Sequence, residues 1–137
     1  MTVQALEHVT IRCARLAQTR DFYCQMMGLT DGERPAFAFR GHWLYLSGIP
    51  VIHLVEAADT GGAGWSREGA LPPPPDPDGG TGAFDHVAFQ GTDFDATRAK
   101  LAEAGLTFRE RIVPGGRLKQ LFVADPEGVL VEINFRT

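Results

Sequence analysis

The sequence predicts an α+β fold built from two βαβββ modules, and three observations carry that reading. Two short segments recur, "LEHVTIR" at 6–12 and "FDHVAFQ" at 84–90, each with an acid, a histidine, a valine and strand-like alternation. Each is followed by a helix-like segment closing on Gly-Leu, "ARLAQTRDFYCQMMGL" and "TDFDATRAKLAEAGL". Each half then ends in a stretch that reads as two strands about a Gly- and Pro-containing turn, "WLYLSGIPVIHLVE" and "LFVADPEGVLVEINF".

The elements follow in order. The first strand of each half is read from alternation, with Val9 and Ile11, or Val87 and Phe89, on one face and His8, Thr10 and Arg12, or His86 and Gln90, on the other. The helix that follows ends where Gly28 or Gly105 can adopt the left-handed conformation of a C-cap. His8 precedes Gly28 by 20 residues and His86 precedes Gly105 by 19, so the register is kept. The segments "PAFAF" and "TFRERIV" are expected as the next strands, and the two hairpins complete the modules. Module one covers 1–57 and module two 83–137, within a single domain of 1–137. The connector 58–82 has a Pro-Pro-Pro-Pro run expected to be extended and semi-rigid; with Trp65 in it, the segment is read either as a flap closing over the cavity or as a floppy module linker.

Composition narrows the partners. With 44% hydrophobic and 22% charged residues and a net charge of -4, the chain lacks the basic footprint of a nucleic-acid or anionic-membrane binder, so a small molecule or a protein is the expected partner. Cys13 and Cys24 have no CxxC spacing, which fits a reducing cytoplasm and structural thiols. No apolar run is long enough to span a bilayer, and "MTVQALEHVT" carries no secretory pattern.

Superposing the halves sets His53 opposite Glu132: His8 to His53 is 45 residues and His86 to Glu132 is 46. Strand parity puts His8, His53, His86 and Glu132 on the polar face, with Ile52, Leu54, Val131 and Ile133 on the apolar one. Glu56 has the opposite parity to His53 and is set aside as a ligand, and His42 is read as a rim residue. A strand histidine by itself is more often a hydrogen-bonded rim or core residue than a ligand. Four donor-type residues at repeat-related positions favour a metal site, because a carboxylate among apolar neighbours, as in "VLVEINF", needs a cation. A direct histidine pairing with Glu132 is the alternative. On the same face Arg12 can hold an anionic group, with a solvated charge or a strand-end ion pair as the rival reading; Trp43 and Tyr45, which share a parity, can line a cavity together with Gln90, Gln120 and Phe122, and for the aromatic residues plain packing is the rival.

These pieces, "HVTIR", "RDFYCQMMGL", "VIHL", "DHVAF" and "DPEGVLVEI", in this order and spacing, resemble the vicinal oxygen chelate superfamily of glyoxalases, bleomycin-resistance proteins and dioxygenases. The resemblance implies a curved mixed sheet cupped around one divalent metal, and a homodimer in which two subunits can share the site. It implies His8, His53, His86 and Glu132 as ligands, with Glu132 also the base. Three imidazoles and a carboxylate suit Zn, Ni, Fe, Co or Mn rather than Ca or Mg, and no nucleotide cofactor is expected. Glyoxalase I usually has Glu where this chain has His53, and often Asn where it has Ala57, while Arg12 matches an arginine that contacts a glutathione carboxylate. The activity implied is a glyoxalase-like lyase or isomerase acting on vicinal oxygens through an enediolate-like intermediate. The alternatives are an Fe(II) extradiol-type dioxygenase using His8, His86 and Glu132, and a non-catalytic ligand-binding protein of the bleomycin-resistance type.

Overall fold

The computed structural model describes residues 4–56 and 84–137. They form two units, within Met1–Pro77 and Asp78–Thr137 respectively. The expected connector 58–82, Trp65 and Ala57 lie outside the described residues.

Module one runs β1 (Val9–Cys13), α1 (Leu16–Asp21), β2 (Thr30–Gly32), β3 (Gly41–Leu46) and β4 (Ile49–Glu56). Its sheet has the order β1-β4-β3-β2, with β1 parallel to β4 and the other pairs antiparallel. One face is apolar and packs under α1: Ile11, Cys13, Leu44, Ile52 and Leu54 are buried there with Leu16 and Tyr23. Withdrawing such a row of side chains from water is the main stabilising term for a sheet with one helical cover. The helix continues from Asp21 into a π-helical turn, Phe22–Met26, and stops at Gly28, whose φ of 79° lets the Leu29 N–H reach back to the Tyr23 carbonyl at 3.0 Å. The β3–β4 hairpin closes on Ser47 and Gly48, both at positive φ, as a two-residue turn whose twist matches the strands.

The second strand departs from expectation. It is Thr30–Gly32, paired with Trp43–Tyr45, and "PAFAF" at 35–39 is a loop. Pro35 has no N–H to give a ladder, and the Phe37 N–H is spent on the Pro35 carbonyl at 2.8 Å. The Phe37 and Phe39 rings stack at 4.9 Å, and the Arg34 guanidinium lies 5.2 Å from each ring while donating to the Phe39 carbonyl. Alternating aromatics thus serve a cation-π cluster here instead of a strand.

Module two repeats the plan with β5 (His86–Gln90), α2 (Phe94–Glu103), β6 (Phe108–Ile112), β7 (Leu118–Ala124) and β8 (Leu130–Arg136), in the order β5-β8-β7-β6. Asp93 caps α2 by accepting the Ala96 N–H at 3.0 Å, and Gly105, at φ 71°, ends it. Leu101, Leu121, Val123, Val131, Ile133 and Phe135 form its core. In the β7–β8 turn the Asp125 carboxylate accepts the Glu127 and Val129 N–H groups at 2.8 and 2.9 Å. The two modules share one register: Val9 pairs with Ile52 as Val87 pairs with Val131, so Thr10 lies beside His53 as Ala88 lies beside Glu132.

Candidate metal-ligand pairs

The parallel pairing of the first and last strands decides where the donors meet. In module one His8 stands immediately before β1, one residue from Val9, and its ring comes to rest on the ring of His53, with centroids 3.7 Å apart and planes within 12°. Trp43, the antiparallel neighbour of His53, covers the other side at 4.1 Å and 11°. His53 is therefore held between two flat rings. Its Nε2 is buried and has no hydrogen-bond partner among the described residues. Burial, and then the neighbouring His8, lower the His53 pKa, so this imidazole is neutral and keeps a lone pair at neutral pH.

In module two the same positions make a direct polar pair, His86 Nε2 lying 3.0 Å from Glu132 Oε2. Glu132 is buried, with 9% of its surface exposed, and its other oxygen accepts a hydrogen bond from Gln120 Nε2 at 2.9 Å. Asp85, 2.7 Å from His86 Nδ1, raises the His86 pKa, and Glu132 adds to the effect. Glu7 stands in the same way beside His8, 3.0 Å from its Nδ1. In both modules the acid preceding the first-strand histidine occupies Nδ1 and turns Nε2 away from it, the arrangement by which carboxylates orient metal-binding imidazoles. The acid-histidine dipeptide is visible in both halves of the sequence, yet its orienting role emerges only from the geometry.

The predicted substrate contacts divide. Trp43 and Phe122 are repeat-related, each the cross-strand neighbour of its module's last-strand donor, His53 or Glu132. Arg12 is half-buried on the parity of Thr10 and pairs in register with Val55. Gln90 is exposed, beside Asn134. Tyr45 lies over Gly32, where a Cβ would come within 2.7 Å of its ring, and its hydroxyl donates to the Glu33 carbonyl at 2.6 Å. Gln120 is engaged with Glu132 and Asn134. His42 pairs with Asp31 at 2.9 Å, in keeping with a rim residue. Arg109, whose guanidinium lies 4.8 Å over the Phe122 ring, shares the Glu132 face and was not singled out from sequence. Alternation in "FRERI" places Arg109 and Arg111 together on one face and was the available signal.

Among the described residues no three His, Cys, Asp or Glu side chains are grouped as ligands. Each module brings two donor-type side chains together, His8 with His53 and His86 with Glu132. The donor chemistry nevertheless fits a borderline divalent ion, with imidazole nitrogens, one carboxylate and the unpartnered Nε2 of His53.

Comparison with known proteins agrees with this architecture. The model of the Glyoxalase/Bleomycin resistance protein/Dioxygenase superfamily matches residues 5–133. The chain is 29% identical to Glyoxylase I 4 of Arabidopsis thaliana over 132 residues, covering 94% of this chain and 69% of that protein. Among solved structures, a glyoxalase/dioxygenase from Nostoc punctiforme has a TM-score of 0.73 at 18% identity, covering 99% of this chain and 93% of its own. TnmS3, an antibiotic-binding protein from a Streptomyces species, has 0.68 at 20% identity, covering 100% and 99%. With the family model spanning nearly the whole chain and the paired βαβββ modules seen in the structure, the protein belongs to the Glyoxalase/Bleomycin resistance protein/Dioxygenase superfamily.

Proposed function

We propose that the protein is a divalent-metal-dependent enzyme of the glyoxalase type, a lyase or isomerase acting on a small substrate with vicinal oxygens. The observation that carries the reading is the repetition of a donor pair, His8 with His53 and His86 with Glu132, at equivalent register in the two modules. These four residues are proposed as the ligands of one site. The similarity to Glyoxylase I 4 supports the reaction class. When bound, a Zn, Ni, Fe, Co or Mn ion would supply a Lewis acid for negative charge developing on the substrate oxygens.

The chain's own residues would do the remaining work. Glu132 is the proposed base: Gln120 holds its Oε1, and its Oε2 is the oxygen left to take a proton from the substrate. Arg12 orients an anionic end of the substrate, and Trp43 and Phe122 form apolar walls beside the two last-strand donors. The imidazole of His53, in place of a second carboxylate, makes the site one charge more positive, which strengthens its attraction for an anionic intermediate.

The test is turnover of the hemithioacetal of glutathione and an α-ketoaldehyde by protein loaded in turn with Zn, Ni and Co. Turnover that disappears in Glu132→Gln is expected. Absence of turnover with all three metals would remove the glyoxalase assignment, and tight ligand binding without turnover would favour the sequestering role.

A further inference from the structure

We infer that Gln120 is a positioning residue for Glu132: it occupies one carboxylate oxygen and leaves the other to face His86 and a metal ion. This rests on the metal-dependent reading above. Strand β7 places Gln120 beside Asn134 and two residues from Phe122, the neighbour of Glu132, so its amide reaches diagonally along the polar face. Nε2 donates to Glu132 Oε1 at 2.9 Å and to Asn134 Oδ1 at 2.9 Å, which uses both of its hydrogens. The amide's orientation follows from chemistry, since an ionised carboxylate can only accept.

Gln120 and Glu132 are 8% and 9% exposed, so water competes little for the bond, and a hydrogen bond to a charged acceptor is among the stronger kinds. The two oxygens of Glu132 are thereby made unlike. Oε1 is bound by the amide, while Oε2 lies 3.0 Å from His86 Nε2. The arrangement has a cost: Gln120 Oε1 is buried with no partner among the described residues. An apolar side chain of the same length would avoid that penalty but would leave Glu132 Oε1 without its donor, so the amide's orphaned oxygen is accepted in order to hold one oxygen of the carboxylate.

The module-one counterpart sharpens the point. The residue in the position of Gln120 is Gly41, opposite Val55 as Gln120 is opposite Asn134. No amide is available there: the ring of His53 is fixed by stacking, and its buried Nε2 has no hydrogen-bond partner among the described residues. A carboxylate has two equivalent oxygens and requires a device to choose between them.

The experiment is Co(II) binding to the intact chain, measured by competition with a chromophoric chelator and by the visible spectrum, for wild type, Gln120→Met and Asn134→Ala. Gln120→Met is expected to weaken Co(II) affinity about 10- to 100-fold, the usual effect of losing a group that orients a ligand. Its spectrum should lose intensity, as Glu132 becomes free to bind through both oxygens. Asn134→Ala should stay close to wild type in both, since the Glu132 bond survives. Thermal melting of the metal-free proteins separates this from a folding defect, and Gln120→Asn, too short to reach Oε1, serves if Gln120→Met does not fold. Wild-type affinity and spectrum in the Gln120 variants would overturn the inference while leaving the metal reading intact. Failure of the wild type itself to bind Co(II) would overturn both.

Discussion

His53 and Glu132 occupy the same place in their modules and are held in opposite ways, one by rings and the other by hydrogen bonds. Their surroundings predict an order of titration in the metal-free protein. His53, with its pKa lowered by burial, should titrate below the ordinary histidine value of 6.5, and His86, raised by Asp85, above it. Imidazole resonances followed by NMR against pH would check this, and a reversed order would contradict it. The two contributions to stability have opposite sign. That of His53 is complete above the unfolded value and is lost as pH falls through its lowered folded pKa, while that of His86 is present below the unfolded value and lost as pH rises through its raised one. Because Trp43 lies 4.1 Å from the His53 ring, metal addition should also change tryptophan fluorescence, and the change should be largely lost in Trp43→Phe. Parity alone revealed which residues share this face. Which nitrogen or oxygen each one presents depends on neighbours, Glu7, Asp85 and Gln120, whose side-chain reach no strand pattern encodes.

At the level of elements, the glycine stops and the buried helix face can be tested directly. Gly105 sits at φ 71° with nothing within 4 Å of an added Cβ, so Gly105→Ala should cost about 1–2 kcal/mol from backbone strain alone. Leu101, fully buried on α2, should cost about 2–5 kcal/mol as Leu101→Ala. Urea denaturation of both variants would check the values, and a neutral Gly105→Ala would refute the C-cap assignment. Helices, hairpins and glycine stops were readable from sequence because each has a local cause in periodicity or turn chemistry. Strand β2 was not: "TDG" has little strand propensity and is recruited by pairing with β3, while "PAFAF" has the alternation but is diverted by Pro35 and Arg34. The π-helical turn at Phe22–Met26 was likewise hidden, since its pattern does not differ from that of an α-helix.

For the molecule as a whole, the repeat is the organising fact. It extends beyond fold to the register of the donor pairs, which is why the candidate ligands were legible while their partners were not. We propose a homodimer as the assembly, for which sedimentation equilibrium should give twice the 14.9 kDa chain mass. Among the described residues no helix is long and apolar enough to cross a membrane. Metal content of protein purified without chelators, with His8→Ala and His86→Ala alongside wild type, tests the proposal that His8, His53, His86 and Glu132 are metal ligands. One ion per chain is expected in wild type and strong loss in either variant, because each removes a proposed ligand. Sub-stoichiometric metal in wild type, or metal content unaffected by a substitution in either module, would contradict it.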